Sequence, residues 1–136
     1  MNDRYLYRAK RKNWRELPKE KWWVEGYYAY MKPYNYIMPK DNFDSWIEID
    51  EKTLCACTGL KDKNGKLIWE NDILVGYLDD MYPKNATYAQ VIWDKNGFYT
   101  KEQYSDDISL MDEFDEKHFE VCGNIFDNPE LLEVGE

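Results

Sequence analysis

Tyr88-Ala-Gln-Val-Ile-Trp-Asp94 is followed by Lys95-Asn96-Gly97 and then by Phe98-Tyr-Thr-Lys101, and this stretch decides the fold class. Both flanking runs are rich in aromatic and β-branched residues, which favour strands. The Asn-Gly pair between them tolerates positive φ, so it suits the tight turn of a hairpin. The sequence therefore predicts two antiparallel strands joined by a short turn.

Further strands are predicted outward from this hairpin in both directions. Gly26 lies inside the most aromatic of them and indicates a bulge or a close approach of two backbones. The predicted strands cover residues 4–9, 22–31, 46–49, 67–69, 73–77 and 119–123, with a short segment at 36–38. Many short strands with tight turns are typical of a small barrel or sandwich.

Between the strands the sequence predicts loops and little helix. Residues 78–87 are expected to form an exposed loop, and the acidic residues 102–117 to form either a loop or a short helix. A short C-terminal helix is predicted from Asn128-Pro129-Glu130, because Asn can cap free amides, Pro suits the first position, and Glu favours the positive end of the helix dipole.

The composition indicates a soluble globular chain of 136 residues, forming one domain or two small ones that share a core. Its net charge of −9 is unevenly spread, with +4 on residues 1–66 and −13 on residues 67–136. Either the two halves attract each other within one fold, or they form faces with different partners. The acidic balance disfavours spontaneous binding to nucleic acid or anionic lipid.

No secretory signal follows Met1, and no apolar run approaches the length that spans a membrane. Three Cys is an odd number, and the absence of an export signal makes free thiols in a reducing cytoplasm the expectation. We therefore predict a cytoplasmic location.

Three separated segments resemble the YopX family of phage-encoded proteins. They are Thr58-Gly-Leu-Lys-Asp-Lys-Asn-Gly-Lys-Leu-Ile-Trp-Glu-Asn-Asp-Ile-Leu74, Val91-Ile-Trp-Asp94 and Val121-Cys-Gly-Asn-Ile-Phe-Asp-Asn-Pro-Glu-Leu-Leu132. The resemblance implies a β-rich N-terminal region, residues 1–52, followed by an SH3-like barrel, residues 53–136. It also implies a gene of phage or prophage origin in a bacterial host. The chain departs from the family at Asn71, where Gly is usual, but Asn also tolerates positive φ.

Residue clusters that suggest chemistry are few, and each has a structural explanation. Cys55 and Cys57 with His118 and Cys122 could supply four zinc ligands, but the Cys spacing is narrower than in structural zinc sites, and small buried hydrophobes are expected instead. His118, the only His, has no Ser or Cys in a recognisable nucleophile motif beside it. The acidic run from Asp106 to Glu116 lacks the ligand pattern of a calcium loop. We therefore predict no enzyme activity, no cofactor and no metal.

The N-terminal region offers the one candidate interaction surface, in which basic and aromatic residues alternate. Basic grooves with stacking rings bind single-stranded nucleic acid, and exposed aromatic residues also mark protein contacts. We predict a non-catalytic accessory protein that binds a protein partner or itself as a homo-oligomer, with nucleic-acid association as the alternative. The surface comprises Arg8, Arg11, Arg15, Trp22, Trp23, Tyr27 and Tyr28.

Overall fold

The computed structural model describes residues 5–42, 44–77 and 86–132. Two antiparallel sheets and a single short α-helix dominate this part of the chain, which confirms the mostly-β prediction. The chain divides into two compact units, which we call unit 1 (Met1–Cys57) and unit 2 (Thr58–Glu136). Most of the loop predicted at residues 78–87 lies outside the described residues, as does Arg4 of the first predicted strand, and residues 86–87 belong to a strand.

Unit 1 is built on a sheet in which the strand order is β4-β3-β2-β1-β5. Strand β5 continues into unit 2, where it pairs with β6. The strands of unit 1 are β1 (Tyr7–Lys10), β2 (Trp23–Met31), β3 (Tyr34–Pro39), β4 (Ile47–Glu48) and β5 (Cys55–Lys61).

The β2–β3 hairpin is the longest pairing in unit 1, and it turns through Lys32-Pro33, whose peptide bond is cis. Gly26 pairs with Pro39, and a Cβ at position 26 would lie 2.0 Å from the Met38 carbonyl oxygen. Only glycine allows the backbones to approach so closely. The close approach predicted at Gly26 is confirmed.

Alternation along the strands sends every second side chain to the core. In unit 1 the buried core consists of Ala9, Val24, Ile37 and Ile49, with Tyr7, Tyr28, Ile47 and Leu54 packed against it. Tyr28 lies on this core face because it pairs directly with Ile37. The other face of β2 and β3 carries Tyr27, Ala29 and Met31 opposite Met38, Tyr36 and Tyr34.

Unit 2 holds a five-stranded sheet in the order β10-β9-β8-β7-β11. Its elements are β6 (Leu67–Trp69), β7 (Asp72–Tyr77), β8 (Ala86–Asp94), β9 (Gly97–Glu102), β10 (Ile108–Leu110), α1 (Glu113–His118) and β11 (Phe119–Asn124). The core of this unit consists of Ile68, Leu74, Val91 and Met111, with Leu60, Phe98, Phe119 and Val121 packed around it.

The SH3-like barrel predicted for residues 53–136 is not confirmed, because within the described residues no sheet closes into a barrel. The five-stranded sheet ends at β10 on one side and at β11 on the other. Strand β10 has only three residues, and the β11 ladder shifts register between Val121 and Gly123. The two edge strands therefore do not pair with each other, and the described sheet is open.

The predicted β8–β9 hairpin is confirmed, with Asp94 paired to Gly97 across the turn. The residue with a positive φ is Lys95 (54°), whereas the Asn96-Gly97 pair was expected to adopt it. The turn therefore forms where it was predicted, but with a different residue in the left-handed region. Asn71 has φ of 70°, as predicted for the position at which the resembling family has Gly.

The two predicted helical regions are shorter than a regular helix. Within residues 102–117, β10 is followed by α1, whose N-terminus is capped by Asp112 with Asp115 in a reciprocal capping box. The C-terminal segment Pro129–Leu132 is a single 3-10 turn. The cap predicted at Asn128 is wrong, since its side-chain oxygen accepts a hydrogen bond from the Asn124 amide, which precedes the turn. No helix in the described ranges is long and apolar enough to cross a membrane.

Candidate interaction surface

The basic and aromatic residues of unit 1 meet in a cluster that we call the tryptophan cage, formed by Trp14, Trp22 and Trp23 around Lys10. The Lys10 ammonium lies 3.8 Å from the ring centre of Trp14, 4.4 Å from that of Trp22 and 5.6 Å from that of Trp23. Lys10 is only 2% exposed. Cation–π attraction to three rings favours burying this charge.

Hydrogen bonds fix two of the cage rings. The indole nitrogen of Trp22 donates to the Leu17 carbonyl at 2.8 Å, and that of Trp14 donates to the Asp50 carboxylate at 3.2 Å. The rings of Trp14 and Trp22 also meet edge to face, with centroids 4.8 Å apart. The cage is therefore a packed part of unit 1.

The structure distributes the seven predicted surface residues over different environments. Arg8 is buried with its guanidinium over Trp23 at 4.8 Å, and Arg11 donates to the Lys21 carbonyl at 2.9 Å. Arg15 is exposed and lies 4.3 Å from the Trp14 ring centre. Tyr28 faces the core, where its hydroxyl donates to the Asn35 side chain.

The three remaining residues lie in the cage or farther along β2. Trp22 and Trp23 belong to the cage, and Tyr27 lies four residues after Trp23 on the same, outer face of β2. Each of them is partly buried. The seven residues thus do not form one surface, and their role in binding stays a prediction.

Beside Tyr27 lies a larger exposed patch, which we call the aromatic face. It consists of Tyr27, Ala29, Met31, Tyr34, Tyr36, Met38 and Trp46. Met31, Tyr34 and Trp46 keep between 47% and 58% of their surface exposed. Soluble domains rarely leave such a contiguous apolar patch in water unless it makes contacts.

The rings of the aromatic face pack against one another at steep angles. Tyr36 meets Tyr34 at a centroid distance of 6.4 Å and Trp46 at 5.7 Å, with interplanar angles of 71° and 66°. Edge-to-face packing of this kind holds the rings in fixed positions. It also leaves no flat, parallel platform for a stack of nucleic-acid bases.

Charged side chains of both signs border the aromatic face. Glu25 forms an ion pair with Lys40 at 3.3 Å, and Glu48 lies opposite Tyr36 on the neighbouring strand. A polar rim around an apolar centre is the usual anatomy of a protein–protein contact. A phosphate backbone would instead require a continuous row of cations.

Sequence reasoning identified only Tyr27 and missed the other six members of the aromatic face: Ala29, Met31, Tyr34, Tyr36, Met38 and Trp46. The alternation of Tyr34, Tyr36 and Met38 is a readable strand signal. Pro33 and Pro39 bracket this run, however, and made it appear to be a short isolated segment. The Trp46 ring comes from outside the strands, so only the fold reveals its position.

The structure shows the contacts of each residue that was considered as a catalytic or metal-binding candidate. His118 has one ring nitrogen 2.8 Å from the Phe114 carbonyl, and its ring stacks on Phe114 at a centroid distance of 4.0 Å. Cys122 is exposed, and desolvation raises the pKa of its thiol, which makes it a poor nucleophile at neutral pH. Cys55 and Cys57 are buried free thiols. Among the described residues no three Cys, His, Asp or Glu side chains meet in a geometry that could hold a metal.

Comparison with known proteins identifies a matching family and a solved structure of similar fold. The family model described as "YopX protein" matches residues 6–133, nearly the whole chain. The solved structure of protein EF1440 from Enterococcus faecalis superposes with a TM-score of 0.58 at 23% sequence identity, covering 95% of this chain and 97% of that one. This likeness shows a shared fold. No curated protein matches the chain.

Proposed function

The chain belongs to the YopX protein family, and from that premise we propose that it is a non-catalytic accessory protein that acts by self-association through the aromatic face. Phage or prophage origin and a cytoplasmic location in the bacterial host are part of this proposal and rest on the family resemblance.

The observation that carries the proposal is the exposure of Met31, Tyr34 and Trp46 on one rigid sheet face. Burying apolar surface gains roughly 25 cal/mol per Å², and interface hot spots are enriched in Tyr and Trp. Ordered aromatic rings also lose little conformational entropy on binding, so the face is suited to contact another protein.

A second copy of the chain is the partner that the charges favour. Unit 1 holds eleven Lys and Arg against nine Asp and Glu, so it is nearly neutral. Two copies can bring their unit 1 faces together with little repulsion. A twofold contact uses the same patch on both copies, and this patch combines apolar rings with the Glu25–Lys40 ion pair and Glu48 at its rim.

Light scattering across a wide protein concentration range tests the proposal. We expect the mass to rise from that of the 16.5 kDa chain toward about twice that value. Replacing two rings in the variant Tyr34→Ser/Trp46→Ser should weaken association by about tenfold or more, since a single hot-spot ring contributes about 2 kcal/mol.

A matched control removes an exposed ring elsewhere. Tyr104 is exposed in unit 2 at a φ of 69°, which Asn tolerates, so Tyr104→Asn should associate as the wild type does. A constant monomer mass at the highest concentration would overturn the proposal. Unchanged association of the Tyr34→Ser/Trp46→Ser variant would overturn it as well.

A further inference from the structure

Unit 2 contains a cavity of about 440 Å³ between its sheet and helix α1, which we call the α1 pocket. A volume of this size is within the range of sites that bind small ligands or side chains. Its lining comes from β7, β8, β9, β10, α1 and the start of β11. The pocket is independent of the aromatic face, since all of its residues belong to unit 2.

The pocket continues the core face of the sheet but replaces apolar side chains with polar ones. Thr100 pairs with Val91 of the core on one side and with Ser109 of β10 on the other. Glu102 follows on the same face two residues later, and Thr87 lies opposite Gly76. The polar side chains along this face give a ligand in the pocket several groups to which it can hydrogen-bond.

Thr100 supplies a hydroxyl to the pocket. The residue lines the pocket and is 6% exposed, and among the described residues its hydroxyl has no hydrogen-bond partner. The oxygen is not one of the fully enclosed polar atoms that lack a partner, so it is open to the pocket. A ligand there would supply a partner.

Carboxylates give the pocket its charge. Asp112, Asp115 and Glu102 all line it. Backbone amides fix two of them, since Asp112 accepts from the Phe114 amide and Asp115 from the Asp112 amide, each at 2.9 Å. Desolvation raises the pKa of Asp115, which is 6% exposed, so this carboxyl gains most from a cation brought beside it.

The net charge of unit 2 also favours a cationic ligand. Unit 2 holds seven Lys and Arg against eighteen Asp and Glu, a net charge of −11. The pocket walls include Phe114 and Phe119, whose rings suit the alkyl stem or planar head of a basic side chain. The acidic charge of unit 2 and the aromatic walls of the pocket therefore both suit a cationic side chain with an apolar stem.

The mouth of the pocket adjoins a sheet edge. Ser109 and Leu110 line the pocket and belong to β10, the outermost strand of the sheet in the described part of the chain. Leu110 and Ile108 are both exposed. An exposed edge strand can pair with an extended peptide, whose side chains then enter the neighbouring pockets.

We propose that β10 pairs with an extended segment of a partner protein and that a lysine or arginine side chain of this segment enters the α1 pocket. The main-chain pairing supplies affinity, and the three carboxylates select the basic residue.

Amide NMR of the full chain tests the pocket with N-acetyl-arginine N-methylamide as the probe. We expect saturable shifts at the amides of Thr100, Ser109 and Phe114. The citrulline analogue, which has the same shape without the charge, should bind about tenfold more weakly, because a charged hydrogen bond contributes about 1.5–3 kcal/mol. The variant Glu102→Gln/Asp112→Asn should weaken the arginine probe to a similar degree.

The control variant is Glu113→Gln, which removes an exposed carboxylate of α1 that does not line the pocket. It should bind the arginine probe as the wild type does. Equal binding of the arginine and citrulline probes, or no saturable shift, would overturn the proposal.

Hydrogen exchange at the Ile108 and Leu110 amides distinguishes binding of a peptide along β10 from binding of a small amine in the pocket alone. Pools of short randomised peptides with a fixed central Arg should slow this exchange, and pools with central citrulline should not. Binding of the amide probe without protection by any basic pool would overturn the peptide proposal. Loss of self-association in the Glu102→Gln/Asp112→Asn variant would also overturn it, because the occupant would then be a second copy.

Discussion

Lys10 shows how a single residue can organise a surface segment. Its side chain is buried, while its backbone amide donates to the Thr53 hydroxyl at 2.8 Å and its carbonyl accepts from the Asp50 amide at 2.9 Å. Two of the cage rings, Trp14 and Trp22, come from the segment between β1 and β2, and Trp23 is the first residue of β2. Lys10 therefore ties that segment to the sheet through both its backbone and its side chain.

Replacing Lys10 with alanine should destabilise the protein by about 2–4 kcal/mol, because it removes the cation–π contacts and leaves a void under three indoles. Urea unfolding followed by tryptophan fluorescence measures the change. Lys12→Ala is the matched control, since Lys12 is exposed, and its cost should stay within about 0.5 kcal/mol. Equal midpoints for the two variants would contradict a structural role for the cage.

At the scale of elements, the β2–β3 hairpin depends on Gly26. Gly26→Ala places a methyl group against the Met38 carbonyl and the Pro39 backbone, neither of which can move without separating the strands. We expect a loss of about 3 kcal/mol or more in the free energy of unfolding, measured by thermal or urea unfolding.

Gly97→Ala is the control for that substitution. At Gly97 the nearest atom to a new Cβ is 3.4 Å away on the Leu110 side chain, and φ is not positive. This variant should lose no more than about 1 kcal/mol. A Gly26→Ala protein as stable as Gly97→Ala would mean that the two backbones can separate at little cost.

Local patterns predicted the elements better than they predicted the architecture. Aromatic alternation located β2 and the β8–β9 hairpin, and Gly26 and Asn71 were correctly assigned their backbone roles. The open sheet of unit 2 could not be predicted, because closure depends on which edges pair across long sequence separations. The Asn128 side chain likewise hydrogen-bonds to Asn124, a choice that capping preferences alone do not reveal.

At the scale of the whole molecule, the charge distribution is the basis on which we rank the predicted partners. The basic residues 10–21 belong to unit 1, whereas unit 2 carries eighteen Asp and Glu. The candidate site was only partly predictable. Composition identified Trp22, Trp23 and Tyr27 as notable, but which of these rings surround Lys10 depends on how the segment between β1 and β2 folds back over β1.

We expect no measurable binding of a single-stranded oligonucleotide at physiological salt, because Arg8 is buried, the indoles of the cage surround Lys10, and the acidic unit repels phosphate. Fluorescence anisotropy with labelled oligo-dT is the measurement. The Arg8→Ala/Arg11→Ala/Arg15→Ala variant should then differ from the wild type in stability alone. Salt-sensitive binding that this variant abolishes would restore the nucleic-acid alternative.

Strand β5 belongs to both units. Cys55 and Ala56 pair with β1, and two residues later the Thr58 hydroxyl donates to the Ile68 carbonyl. A gene fusion or truncation at this boundary would cut through a strand and leave each fragment with a broken ladder. We therefore expect the two units to be inherited together, because recombination at their boundary would interrupt a strand that both units need.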